Sequence, residues 1–421
     1  MVSEPVILIA MLAVFALGVF WMKIPAGVSL MLAAVVGAFL GGEGLPIRHL
    51  VEGGFGFLEA ILIIATAMIF MKVVEATGAL GTISYTMINT LYRFPTLLMI
   101  VIVIFVMFPG MLTGLSSACI LTTGALVAPG LMAMGMPPLA VGSLIAMAAV
   151  FGEVAPPICI PVMLIGGGVD MPYIGFTRPL LLASFPVAIA TAIYFRFRYL
   201  GAFDINEVLP KLAKPVFREY GIRLFIPLVF VVGYMILEQT IPEFIPHLGV
   251  PLIFMLGAIL GFGSGNRFNF FKVSRAAIRQ AMPVMAILVG VGMFMQILTL
   301  TGVRGYLATS ALFLPEGVKY LAALIMPFFG SAYASASIIG VPLVYVFIGK
   351  NELVITAALA LMAAMGDLMP PPSLLCAYAA QIVKVKNHFA ILKNNLIPIV
   401  VTLISGLLII TFAEEIAHVI F

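Results

Sequence analysis

The sequence predicts an all-α polytopic membrane protein built from two inverted repeats, each with five spans, one of them broken, and a re-entrant hairpin. Three observations predict it. Hydrophobic residues make up 63% of the chain and charged residues 9%, with a mean hydropathy of +1.24, so apolar runs of spanning length dominate. Second, Gly152-Glu153-Val154-Ala155-Pro156-Pro157 returns 214 residues later as Gly366-Asp367-Leu368-Met369-Pro370-Pro371. Each copy sits in a long apolar segment, where proline removes a backbone donor and breaks the helix. Third, with both termini outside, all but five of the 21 basic residues fall on the cytoplasmic side, the five being Arg48, Arg178, Arg304, Lys319 and Lys350. A cytoplasmic excess of Lys and Arg is what sets orientation.

The elements follow in order. Pro5 to Met22 is preceded by Glu4 and lacks a basic leader, so it reads as the first permanent span rather than a removed signal peptide. A second span begins after Pro25 and ends at Gly41-Gly42. Glu43 to Gly56, with Arg48, His49 and Glu52, reads as an amphipathic connector in the interface. The third span covers Leu58 to Thr77. In residues 96–134 two apolar arms meet at Thr113-Gly114-Leu115-Ser116-Ser117, and a re-entrant hairpin fits this better than two full crossings. Residues 138–167 hold the broken helix, and Thr177-Arg178-Pro179 opens the last span of the first repeat, ending near Phe195.

Residues 201–217 are polar and read as a cytoplasmic linker between repeats at 1–200 and 218–421. The second repeat keeps the order of the first. Gly249-Val250-Pro251-Leu252 matches Gly27-Val28-Ser29-Leu30, and Thr301-Gly302-Val303-Arg304-Gly305 matches Thr77-Gly78-Ala79-Leu80-Gly81. A hairpin at 318–350 has its tip at Gly330 to Ser337, and a broken helix occupies 353–383. Five crossings is an odd number, so the second repeat is upside down relative to the first, and broken helices in matching places point to a transport site at the midplane.

Glu153 and Asp367 are the most informative pair. A carboxylate near the bilayer centre costs at least ~2.5–3.5 kcal/mol, so it is expected to have a partner, a proton or an ion. Oxygen ligation of Na⁺ and carriage of H⁺ both remain open as the coupling chemistry; no other cofactor is expected. The structural alternative is that each acid caps an exposed helix end. On the ion side the expected residues are Gly152, Glu153, Pro156, Ser331, Gly366, Asp367 and Pro370. For a small organic-anion substrate they are Thr113, Gly114, Ser116, Ser117, Pro157, Ser335, Ser337, Pro371 and Ser373, whose hydroxyls and half-helix amides suit carboxylate groups. Small residues at such tips also serve helix packing.

Other features exclude more than they assign. A net charge of +4 gives no case for a nucleic-acid partner, and lipid is the expected surroundings. Cys119, Cys159 and Cys376 lie in apolar stretches without metal-ligand spacing, and the four histidines lie near span ends. Lys72 and Glu75 read as a snorkelling base with its neighbouring acid. Gln296 and Thr299 read as helix-packing polar groups.

The order of hairpin, Gly-x-x-x-Pro-Pro break and closing span, twice over, resembles the large membrane subunit of tripartite ATP-independent periplasmic (TRAP) transporters within the wider ion transporter superfamily. Gly152 to Pro161 with Gly166 to Gly168, Thr77-Gly78, and Gly366 to Pro372 carry the resemblance. It implies an elevator-type secondary transporter of the inner membrane that takes up C4-dicarboxylates or similar anions. It also implies Na⁺ coupling, a small membrane subunit and a periplasmic solute-binding protein. The chain departs from the family in placing acids at Glu153 and Asp367, which opens H⁺ coupling and a carrier that works alone. An intramembrane protease would need two aspartates, and Glu153 is not one. A channel would share the fold without needing an alternating site. The chain is therefore not expected to be an enzyme.

Overall fold

The computed structural model describes residues 2–241, 244–329, 331–370 and 373–421. Among them every regular element is helical. The chain is an all-helical, multi-pass membrane protein. Seven described helices are long and apolar enough to cross a membrane, or eight if His388–Asn394 and Leu396–Thr411, bent by 54°, form one span. The sequence predicts five spans per half. Two of the seven, Pro95–Thr113 and Ser116–Ala133, are the arms that the sequence reading makes a re-entrant hairpin and are each long enough to cross, while expected spans at Ala26–Leu40, Pro138–Val154 and Val250–Gly263, among others, are helices below spanning length.

The first half contains α1 (Glu4–Ala16, continuing to Trp21 with a wider turn), α2 (Ala26–Leu40), α3 (Ile47–Phe55), α4 (Leu58–Thr77) and α5 (Ala79–Leu91). Then come α6 (Pro95–Thr113) and α7 (Ser116–Ala133), the pieces α8 (Pro138–Val154) and α9 (Ile160–Gly168), and α10 (Thr177–Tyr199). The last helix outruns its expected end because Arg196 and Arg198 occupy its final turn, where cations favour a helix C-terminus.

The second half contains α11 (Ile226–Thr240), α12 (Val250–Leu260), α13 (Phe270–Leu300) and α14 (Val303–Leu312). It continues with α15 (Glu316–Ile325), α16 (Ala332–Val346), α17 (Glu352–Ala364), α18 (Leu374–Val383), α19 (His388–Asn394) and α20 (Leu396–Thr411). Where α3 and α4 are two helices, α13 is a single one of 31 residues, roughly 46 Å long and longer than the hydrocarbon core.

Packing divides the helices into two groups. In one, α13 lies against α2, α3 and α4, while α12 lies against α4 and α11. Contact there is backbone on backbone: a Cβ on Gly290 would fall 2.3 Å from the Gly27 carbonyl oxygen, and one on Gly292 2.0 Å from that of Gly53. Such close approach is how helices associate without a hydrophobic driving force between them. α3 half-buries itself on α13 through Leu50 and Gly53 and keeps Arg48 and Glu52 paired at 2.7 Å outside. The hydrogen bond from Arg48 holds the Glu52 carboxyl below its usual range.

The other group is centred on α8 and α17. Every residue from Ala140 to Val154 and from Val354 to Ala364 is buried, so both helices are apolar on all sides and enclosed by protein. Around them stand α6, α7, α9, α10, α16, α18 and α20. Two short helices join the groups: α5 touches α4, α6 and α7, and α14 touches α1, α13 and α16. Gly78 (φ +87°) and Gly302 (φ +76°), in the two matching Thr-Gly motifs, turn the chain into these arms through left-handed backbone that disfavours a side chain. Residues 201–217 are anchored to α7 and to the α5 arm: Val208 and Leu212 are buried, with Leu212 beside Gly130 of α7, and Val216 N–H donates to Thr82 Oγ1 at 3.1 Å.

Candidate functional site

Pro109 opens α6 one turn before its end. Gly110 N–H turns to Cys119 Sγ at 3.0 Å, and the carbonyls of Met107 and Val106 accept from Cys119 (3.5 Å) and Thr123 (3.2 Å) on the returning arm. The two arms are thereby bonded to one another beside the proline, where irregular backbone is tolerated only inside protein. Thr113 closes the tip, donating to Pro109 O at 2.8 Å and accepting Leu115 N–H at 3.2 Å. Gly114 then takes φ +68°, and a Cβ there would meet Ile160 at 2.4 Å.

This tip is held against the first break. Gly152 and Gly110 touch through backbone, and Ile158 N–H donates to Met111 O at 3.2 Å. α8 ends at Val154, Ala155 to Cys159 form the interruption with a cis Pro156–Pro157 bond, and α9 starts at Ile160. Tyr173 spans the interruption, donating to Pro157 O at 3.0 Å and accepting Cys159 N–H at 2.9 Å. In the second half α17 ends at Ala364, a tighter turn covers Met365–Asp367, and Ser373 starts α18 in the left-handed region at φ +52°.

Each helix that follows a break crosses to the other half. α9 packs on α17 and on α16, and α18 packs on α8 and touches α7. Residues separated by more than two hundred positions therefore meet. Ser116 Oγ donates to Asp367 Oδ2 at 2.7 Å, and Ala332 N–H donates to Asp367 Oδ1 at 2.8 Å. Ser116 and Ala332 are the first residues of α7 and α16, so Asp367 caps the second hairpin's returning helix and ties the first hairpin's to it. Tyr333 OH donates to Gly114 O at 3.1 Å, a second bond between the tips.

Glu153 is fully buried, in the last turn of α8, and among the described residues no donor is directed at either of its carboxylate oxygens in good hydrogen-bond geometry. Ser116, Tyr333 and Asp367 stand around it. The hydroxyls of Ser116 and Tyr333 are already donated elsewhere. At a helix C-terminus the dipole disfavours a negative charge, so the capping role weighed for both acids belongs to Asp367 and not to Glu153.

The other expected residues sort clearly. Gly366 approaches the second tip, where a Cβ would lie 3.2 Å from Pro327 O and from Ser331. Ser335 and Ser337 are buried and donate to Met326 O and Tyr333 O, both at 2.6 Å, within their own hairpin. Ser331 directly precedes α16 and makes no side-chain capping bond there, Ser117 and Pro157 are half-buried, and Pro156 is buried. The Ser373 hydroxyl is buried, Pro370 is exposed, and Pro371 lies outside the described residues. Lys72 and Glu75 form an ion pair at 2.7 Å, away from the tips. Tyr173 and Tyr333 were not singled out by sequence reasoning. The available signal for Tyr333 is one large hydroxylated ring within a run of small residues from Ser331 to Ser337.

No protein-family model matches this chain, and no curated protein does. Among solved structures it is similar to the crystal structure of the YdaH transporter of Alcanivorax borkumensis, at 17% sequence identity over 87% of each chain, with a TM-score of 0.61. At that identity the likeness defines a shared fold, that of a polytopic helical membrane protein.

Proposed function

We propose that this chain is a secondary active transporter, not an enzyme, which takes up an organic anion such as a C4-dicarboxylate together with a cation by an elevator movement. The observation that carries the reading is the meeting of both hairpin tips and both breaks around Glu153 and Asp367. A fold shared with the YdaH transporter supports it. So does the exchange of α9 and α18 between halves, as does the reciprocal packing of α2 on α13 and of α12 on α4. Both are what two inverted repeats, each with a re-entrant hairpin and a broken span, would produce. The group around α8 and α17 is the moving body, α2, α4, α12 and α13 are its scaffold, and α5 and α14 are the connecting arms.

The charge of the site supplies a reason for coupling. Two buried acids repel an anionic solute until a cation neutralises them, so cation and anion binding help one another by the same factor. Within this reading both termini face the periplasm. Service as the large subunit of a TRAP-type system, with a small membrane subunit and a solute-binding protein, rests on the motif resemblance. Counterflow tests the reading. Proteoliposomes loaded with unlabelled succinate should transiently accumulate labelled succinate, whereas simple equilibration would indicate a channel.

A further inference from the structure

We propose that the rim formed by residues 217–225 and 262–275, at the end of α4, is a docking surface for the headgroups of anionic phospholipids. The two segments are separated in sequence by α11 and α12, and both are fixed on α4. Asn266 N–H donates to Thr77 O at 3.1 Å, and a Cβ on Gly265 would lie 2.9 Å from the buried Leu224 side chain. A Cβ on Gly78 would lie 3.0 Å from Val216, directly before the first segment. Arg223 and Arg267, one from each segment, stand beside Tyr220.

The rim is basic, and its bases are not paired. Arg218, Arg223, Arg267, Lys272 and Arg275 are exposed, and the two segments contain a single acid, Glu219. Among the described residues none of the five forms an ion pair with a carboxylate. Lys272 and Arg275 stand in the first two turns of α13, whose first turn holds no acid, and the dipole disfavours cations there. Helix stability therefore does not account for them. Setting orientation needs only an excess of bases on one side, not their convergence from two segments.

Apolar anchors are interleaved with these bases. Phe217, Ile222, Phe262 and Phe271 are exposed, Ile222 by 80% and Phe271 by 84%. Phe217 stacks on Phe225, and Phe262 stacks on Phe268 and lies against Phe270, so two of the exposed rings are braced from behind. Rings at the end of a membrane helix belong at the boundary between hydrocarbon and headgroups. A free phosphate or a soluble acidic partner would match the charges alone. A phospholipid matches both parts, with phosphate for the guanidinium forks and acyl chain for the rings. Clusters of bases flanking membrane helices are drawn to lipids of net negative charge, so the rim should favour phosphatidylglycerol over zwitterionic phosphatidylcholine.

Hydrogen exchange of the full-length protein in nanodiscs tests this without altering the chain. Replacing a quarter of the phosphatidylcholine by phosphatidylglycerol should slow exchange several-fold in 217–225 and 262–275, and high salt should reverse much of the change. The control is the stretch 384–393 in the other helix group, whose Lys384, Lys386 and Lys393 are also exposed and which should change far less. An equal change there, or none at the rim, overturns the proposal. So does equal protection by inorganic phosphate in nanodiscs of phosphatidylcholine alone, which would make the rim a site for soluble anions. Combining R223Q, R267Q and R275Q should abolish the lipid-dependent difference, and its persistence in the folded variant would also overturn the assignment. The wild-type comparison decides the matter if that variant fails to insert.

Discussion

Ser116 and Asp367, 251 residues apart in sequence, are joined by a 2.7 Å hydrogen bond between the first hairpin tip and the second break. A bond to an ionised acceptor contributes about 1.5–3 kcal/mol, and its loss leaves one carboxylate oxygen without a donor. S116A should lower the thermal unfolding midpoint in detergent, whereas S117A, at a half-buried neighbour, should change it much less. Equal effects of the two variants would remove the special standing of this bond.

G152A tests the contact between hairpin and broken helix. Its Cβ would lie 2.6 Å from Met107 O and 2.8 Å from Met107 Cα, so α6 and α8 must separate. Overpacking of this kind costs about 1–3 kcal/mol. A clear loss of thermal stability is expected, while G305A, where a Cβ meets nothing within 4 Å, should cost little.

Y173F removes a single oxygen and leaves two backbone groups of the interruption, Pro157 O and Cys159 N–H, without this partner. Each unsatisfied group costs about 1–3 kcal/mol. The expected result is a lower unfolding midpoint and faster hydrogen exchange at Cys159 N–H. Unchanged exchange there would show that the interruption holds its shape without the tyrosine.

Arg304 on α14 pairs with Asp170 at 2.8 Å and reaches Tyr345 on α16 at 3.3 Å, a polar link between the arm and the second hairpin. Asp170 is largely exposed, and such pairs contribute roughly 0–1 kcal/mol. D170N should therefore leave the unfolding midpoint nearly unchanged. If the two bodies slide past one another, it should alter the rate of succinate counterflow more than its equilibrium extent.

The acid pair predicts a further separation of roles. D367N weakens a cap fed by two donors and should chiefly reduce stability, measured as Tm. E153Q replaces the acid at the helix C-terminus by a neutral group of the same shape. It should keep Tm within a few degrees of the wild-type value and uncouple succinate uptake from an imposed cation gradient. A larger stability loss in E153Q than in D367N would reverse this order.

Composition and the twice-repeated Gly-x-x-x-Pro-Pro pattern determined the class of this protein from sequence alone. Apolar runs can be stable only in lipid or deep in protein, and prolines interrupt helices wherever they stand. The interruption after Val154 was also readable, because glycine and proline act on the backbone locally. Tertiary structure decided what those positions do. Only the crossing of α9 and α18 into opposite halves brings Ser116, Ala332 and Tyr333 to the acids. Only the direction of the neighbouring helix ends makes Asp367 a satisfied cap and puts Glu153 at a helix C-terminus instead, since in sequence the two acids occupy the same place in one motif. Donors arrive through space from segments hundreds of residues away, and local pattern carries no record of them.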